Sequence, residues 1–262
     1  MSARLFIAVG ALGLVVSLAL LIVTCASVPG TSLPAFTVTA SRTLSGTVRP
    51  QIRVHFGLWG WCQITSGRWI SHPEVCKGTD GPPGYDPGVV MRPLVSNFPS
   101  TRVVGGMADL TQGLVMPAAA TATTGVAALF GIAALLRRSF RTPNILLGVT
   151  ILTGLSVIFA AAGVGCLFAL FEKVRKGTPA TSMIQVGTPA SRTGNTYRLM
   201  TGYGPVAWAL VGALVALLTS SVVCLLAWLS ARREDRHEGR RWSDGHGKTE
   251  VSYYEGGAPR GQ

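Results

Sequence analysis

Charge disappears from four long stretches of this chain, and those stretches set out its architecture. From Leu5 to Val48 the only charged residue is Arg42; between Arg102 and Arg137 it is Asp109; none occurs between Arg141 and Glu172 or between Arg198 and Arg232. About 20 apolar residues let a helix cross roughly 30 Å of hydrocarbon, and backbone groups in lipid must bond within their own helix. The pattern predicts transmembrane helices over residues 5–27, 114–136, 145–171 and 205–231. Met116-Pro117 is expected to mark the first turn of the second helix, where a missing N–H costs little. The third is long enough to cross at a tilt.

Residues 28–113 form a large loop between the first two helices. Within it Phe36-Thr37-Val38-Thr39-Ala40 and Gln51-Ile52-Arg53-Val54-His55-Phe56 alternate apolar and polar side chains. A period of two predicts half-buried antiparallel strands. Lys77 to Gly88 is crowded with Gly, Pro and Asp and reads as turns. A sheet this small buries little alone. It is expected to rest on the helix ends, with Trp59, Trp61 and Trp69 as apolar plugs near the lipid headgroups. Residues 172–204 make a second, shorter polar loop.

Basic residues set the sidedness. Arg137, Arg138 and Arg141 crowd the short link 137–144, and basic residues in short loops resist export. The link is therefore expected in the cytoplasm, with both termini on the same side and both larger loops outside. Arg4, Arg232 and Arg233 agree. Glu172-Lys173-Val174-Arg175-Lys176 opens a loop with five basic residues and argues the other way; the arginine link and the cysteine pair outweigh it. Arg4 and the small residues around Cys25-Ala26-Ser27 also suit a signal peptide. The apolar run exceeds the usual 7–15 or so residues, so an uncleaved anchor is expected.

Only 13% of residues are charged, against about a quarter in soluble domains. The net charge of +12 suggests nucleic acid at first sight. Its scatter over two loops, a link and a tail excludes a single patch. Arg137, Arg138, Arg232 and Arg233 would instead meet anionic lipid, at about 1 kcal/mol each. The tail from Arg232 to Gln262 holds seven basic and six acidic residues. From Glu234 onward it is polar, Gly-rich and expected to be disordered.

Cys25, Cys166 and Cys224 fall in predicted helices, where a thiol is a small apolar group. Cys62 and Cys76 lie in the large outer loop. An oxidising exterior would bridge them, closing a ring of 15 residues worth about 3 kcal/mol in the chain-entropy model. The alternative is two free thiols.

Signs of chemistry are scarce. His55 and His72 suit a pH sensor in type, but two solvated loop histidines are the simpler reading. His237 and His246 sit among tail carboxylates without metal spacing. No ionisable residue lies deep in a predicted span, which argues against an ion pathway. No nucleophile elbow, phosphate-binding glycine loop or metalloprotease helix occurs, and neither cofactor nor metal is expected. Gly13 with Ser17, Ala127 with Gly131, Ala161 with Gly165, and Gly212 with Ala216 are small pairs at helix-packing spacing. They are read as contacts within the bundle, with self-association as the sharper alternative. Tyr253-Tyr254-Glu255 carries little information.

The run Phe56-Gly57-Leu58-Trp59-Gly60-Trp61-Cys62, followed by Cys76 and then Gly84-Tyr85-Asp86, resembles the fungal PalI family within the four-span claudin-type superfamily. Tyr203-Gly204-Pro205-Val206-Ala207-Trp208 at the start of the last helix is similar to the family's pattern there. The resemblance implies a bridge between Cys62 and Cys76. It also implies that Gly57, Leu58 and Trp59 fix the loop against the bundle. The family includes pH-response regulators and eisosome-associated plasma-membrane proteins and is not known for catalysis. Its pH-response members have long cytoplasmic tails, unlike the roughly thirty residues here. The expectation is a claudin-like membrane all-α four-helix bundle, left-handed and topped by a small extracellular antiparallel β-sheet. Its expected role is to organise plasma-membrane domains, or to act as an adaptor in cell-wall and stress responses. An accessory subunit of an ambient-pH sensing complex is the alternative, and a transporter or channel the remote one. Membrane lipids and other membrane proteins, further copies of this chain included, are the expected partners, with no role for nucleic acid.

Overall fold

The computed structural model describes residues 3–44, 47–66, 71–78, 84–91, 107–137, 142–177, 181–184 and 195–246. Four helices in it are long and apolar enough to cross a membrane: α1 (Ala3–Cys25), α4 (Met116–Leu136), α5 (Pro143–Gly177) and α6 (Pro205–His246). Two short helices, α2 (Pro87–Met91) and α3 (Met107–Gly113), lie between α1 and α4. Each long helix packs on two neighbours, so that α1, α4, α5 and α6 follow one another around a ring. Leu14, Leu21, Ala120, Ala127, Leu167, Leu210 and Leu217 fill its core. Leu12, Leu129, Ile158, Trp208 and Val222 are among the large apolar side chains left outside, as a helix bathed in lipid requires.

Pro117 lies in the first turn of α4, as its chemistry demands. Two helix ends differ from the sequence reading. The third helix runs past residue 171 to Gly177, because Glu172 pairs with Arg175 at 3.8 Å and with Lys176 at 3.5 Å one turn on. The last helix continues past residue 231 to His246, so the expected disorder of the tail fails there. Ala231, Arg232, Arg233 and Glu234 are good helix formers, and no proline follows Pro205 before His246. Residues 247–262, including Tyr253 and Tyr254, lie outside the described residues.

The bundle core has a polar middle. Ser17, Thr24, Thr153, Ser156 and Ser220 are buried, and each hydroxyl donates to a carbonyl three or four residues back. Thr123 and Ser156 also bond each other at 2.7 Å across α4 and α5. Thr124 is wholly buried and its hydroxyl lacks a partner. Burying such a group without a bond costs about 1–3 kcal/mol. Thr124→Val, which keeps the shape, is therefore expected to leave thermal stability in detergent unchanged or raised. A fall of more than a few degrees in melting temperature would contradict this.

The small pairs divide. Gly13 faces Ser220 across α1 and α6, Gly131 faces Ala11 and Leu14, and Gly212 meets Leu20. Ala161 and Gly165 do not fit the in-bundle reading: both are exposed, and a Cβ on Gly165 would meet nothing. The core face of α5 runs instead through Ala160 and Gly163, where Gly163 admits the Pro117 ring.

Six strands form one antiparallel sheet in the order β4-β3-β2-β1-β6-β5. They are β1 (Phe36–Leu44), β2 (Thr47–Phe56), β3 (Gly60–Ser66), β4 (Ser71–Gly78), β5 (Thr181–Ile184) and β6 (Asn195–Tyr203). The two strands read from the alternating pattern are β1 and β2, paired from Phe36↔Phe56 outward. Val38, Ala40, Val54 and Phe56 are buried, and Thr37, Thr39, Arg53 and His55 alternate with them on the other face. Pro50 and Pro73 are tolerated because each sits beside a register shift.

Candidate functional site

Aromatic rings weld the sheet to the bundle. Phe36 stacks on Phe56 at 4.7 Å and meets the edge of Phe171 on α5 at 6.0 Å. Phe171 in turn stacks on Tyr203 at 3.9 Å, and Trp208 on α6 meets Tyr203 at 6.2 Å. Backbone bonds continue the weld. Ala35 N donates to Phe56 O at 2.7 Å, and Gly204 N donates to Ala35 O at 2.8 Å. The end of β6 is thereby joined to the start of β1, just where α6 begins.

The turn between β2 and β3 is Gly57-Leu58-Trp59, closed by Gly57 N donating to Gly60 O at 2.8 Å. Each residue of the turn has a distinct anchor. The Leu58 amide donates to Ser27 Oγ at 2.9 Å, in a buried setting. The Trp59 indole N–H donates to Cys25 O at 2.7 Å. Cys25 is the last residue of α1, so its carbonyl lacks a helical partner and the indole satisfies it. The Gly57 carbonyl accepts from the Tyr85 phenol at 2.8 Å. A Cβ at Gly57 would overlap the Val28 carbonyl, which leaves room for glycine alone. The Val28–Pro29 peptide beside it is cis.

Tyr85 is held in turn. Its amide donates to Thr111 Oγ1 at 3.0 Å, and that hydroxyl donates back to the Tyr85 carbonyl at 2.7 Å. Gly84 before it has φ of 134°, a conformation that other residues rarely adopt. Phe56 stacks on its ring at 6.2 Å. Desolvation pushes the phenol well above its ordinary value of 10, so it stays a neutral donor. Tyr85→Phe would leave the Gly57 carbonyl without this donor. The expected loss is about 1–3 kcal/mol, seen as a lower melting temperature in detergent with the helix content retained.

Cys62 and Cys76 are bonded, directly opposite each other on β3 and β4 with Cα atoms 4.1 Å apart. The sequence reading placed neither strand, although both carry the bridge. Cys25, Cys166 and Cys224 are free. Trp59 and Trp61 pack partly buried against the core; Trp69 lies outside the described residues. Trp208, which the sequence reading did not single out as a plug, is an exposed aromatic at the sheet-bearing end, at 63%.

His55 is half-buried on β2, opposite Thr37 on one side and Cys62 on the other. Desolvation and then the Arg53 charge hold its pKa below 6.5. The unfolded chain therefore takes up this proton at a higher pH than the fold does. Stability should be full above about 6.5, where both states are neutral, and should fall as pH drops below it. His55→Gln is expected to flatten that acid limb in melting temperatures measured from pH 7.5 to 5. An unchanged profile would assign the limb to other groups. His72 sits at the backbone of β4, and His237 and His246 on α6. Among the described residues no three His, Cys, Asp or Glu side chains gather as a metal site.

The sequence matches no protein-family model and no curated protein.

Proposed function

We propose that this chain is a claudin-like, multi-pass protein of a fungal-type plasma membrane that organises membrane domains, or acts as an adaptor in cell-wall and stress responses, without catalysing a reaction. In this reading the sheet lies outside, both termini are cytoplasmic, and the resemblance to the PalI family reflects ancestry. The observation that carries it is the way the Gly57-Leu58-Trp59 turn is used. Its amide, indole and carbonyl bond Ser27, Cys25 and Tyr85. Polar groups that could serve chemistry are spent on seating a sheet rigidly over four helices.

The outer face of α5 supports the organising role. Ala161, Gly165 and Ala169 are exposed at successive turns, and small residues let helices approach closely in lipid. An ambient-pH role gains less support: the depressed pKa of His55 places its titration on the acid side.

A fluorescently tagged copy should form stable, static patches in the plasma membrane. Gly165→Leu should disperse the patches without lowering abundance. A diffuse parent protein, or patches indifferent to Gly165→Leu, would remove the organising role. Mislocalisation of a larger receptor on deletion, with failure to grow at alkaline pH, would instead point to the pH-sensing complex.

A further inference from the structure

The two ends of the Cys62–Cys76 bridge differ in access. Cys62 on β3 is buried, at 7%, whereas Cys76 on β4 is exposed. β4 lies at the edge of the sheet, paired to β3. Thiol–disulfide exchange needs access to the sulfur under attack, and exposed bridges are the more readily reduced class. Attack is open at Cys76 and obstructed at Cys62, so Cys62 would be the leaving sulfur.

The surroundings of Cys62 suit that part. Its register partner on β2 is His55, which places the two on one face of the sheet with Cβ atoms about 4.5–5.5 Å apart. Thr37 of β1 flanks His55 on its other side. Arg53 lies two residues along β2, on the same face and exposed. Burial keeps the imidazole neutral near pH 7, and a neutral imidazole still carries one N–H donor. A nearby donor and a nearby cation both favour a thiolate over a thiol. A thiolate of lower pKa leaves faster.

We propose that the Cys62–Cys76 bridge is a thiol-exchange switch, opened by attack of an external small-molecule thiol on Cys76. The attacking thiolate bonds to Cys76 Sγ as the Cys62–Cys76 bond breaks. Cys62 leaves as a thiolate and takes a proton from water. A second thiol then displaces the first from Cys76, which is protonated in turn. Two external thiols are thereby oxidised to one disulfide, and the bridge is reduced to two thiols. Opening removes the covalent tie between β3 and the edge strand. The switch is independent of the organising role and of which side the sheet faces.

The oxidised full chain in nanodiscs, its accessible free thiols first blocked with N-ethylmaleimide, would be incubated with mixtures of reduced and oxidised glutathione. Structural bridges resist this pool; the Cys62–Cys76 bridge should open in it. Quenching at early times should trap glutathione on Cys76, with Cys62 as the free thiol. The opened protein should be cleaved between Gln63 and Cys76 by a protease that spares the closed form. His55→Val should slow opening several-fold, while the closed form keeps its melting temperature at neutral pH.

A bridge that stays closed in reducing glutathione would overturn the proposal, as would glutathione trapped on Cys62 in place of Cys76. Opening without new cleavage would overturn the switch, because β4 would stay seated either way. An unchanged rate in His55→Val would remove His55 from the exchange.

Discussion

Gly57→Ala should cost this protein its sheet-to-bundle junction. The added methyl would overlap the Val28 carbonyl, which is backbone and cannot swing aside. Relief requires the turn to lift, and lifting it strains three bonds together: Leu58 N to Ser27, Trp59 Nε1 to Cys25, and Tyr85 to Gly57. Overpacking alone costs about 1–3 kcal/mol, and each bond left unmade at a buried group adds about 1–3 kcal/mol. The expected result is a several-fold fall in steady-state abundance, with early melting of the residue that survives in detergent. Helix content by circular dichroism should fall little, because the four long helices hold their own backbone bonds. Parental abundance in Gly57→Ala would mean that the turn has other room.

Cys62→Ser, alone or with Cys76→Ser, should have the second large effect. The bridge joins β3 to the edge strand β4, with Cys62 opposite Cys76. Closing a loop of this length is worth about 3 kcal/mol. β4 is an edge strand, with backbone pairing to β3 on one side. The expected outcome is fast proteolysis between Gln63 and Cys76 in the intact membrane, while the bundle resists. Single and double serine variants should lose equal stability, since either change removes the same bond. Unchanged protease resistance in the double variant would show that β4 is held by other means.

Much of this was legible in the chain because membranes write in long words. The four apolar runs needed only length and charge counting, and Pro117 marked the start of α4 because a proline fits there. The sheet was legible in part. Phe36 to Ala40 and Gln51 to Phe56 alternate cleanly because one face is buried along their whole length. In β3 and β4, a bulge at Gln63 and Pro73 breaks the alternation, and the turn-rich neighbourhood hid them. The stretch Thr196-Tyr197-Arg198-Leu199-Met200-Thr201 had the composition of a strand; its partner on β1 lies far back in the chain and left no local sign.

The site divided in the same way. Gly57, Leu58 and Trp59 stood out by resemblance, and the cysteines by their place in a polar loop. Ser27 and Thr111 did not, since a hydroxyl that anchors a distant amide looks like any other in a sequence. Tyr85 was named within a motif, but its bond to Gly57 depends on a turn set by Gly84. The helical end of α6 shows the reverse error. Polarity and glycine content suggested disorder, whereas Pro205 starts a helix that runs to His246.

The pairing of β1 with β6 has a consequence for biogenesis. Phe36 is synthesised long before Tyr203, yet the two are register partners. During translation, β1 must wait beside β2 with one edge open until α4 and α5 have entered the bilayer and β6 has followed. Unpaired edges recruit other strands, and such distant pairings form slowly. The nascent chain therefore spends its most vulnerable interval as a half-sheet, and that interval is where a holdase chaperone would be expected to act.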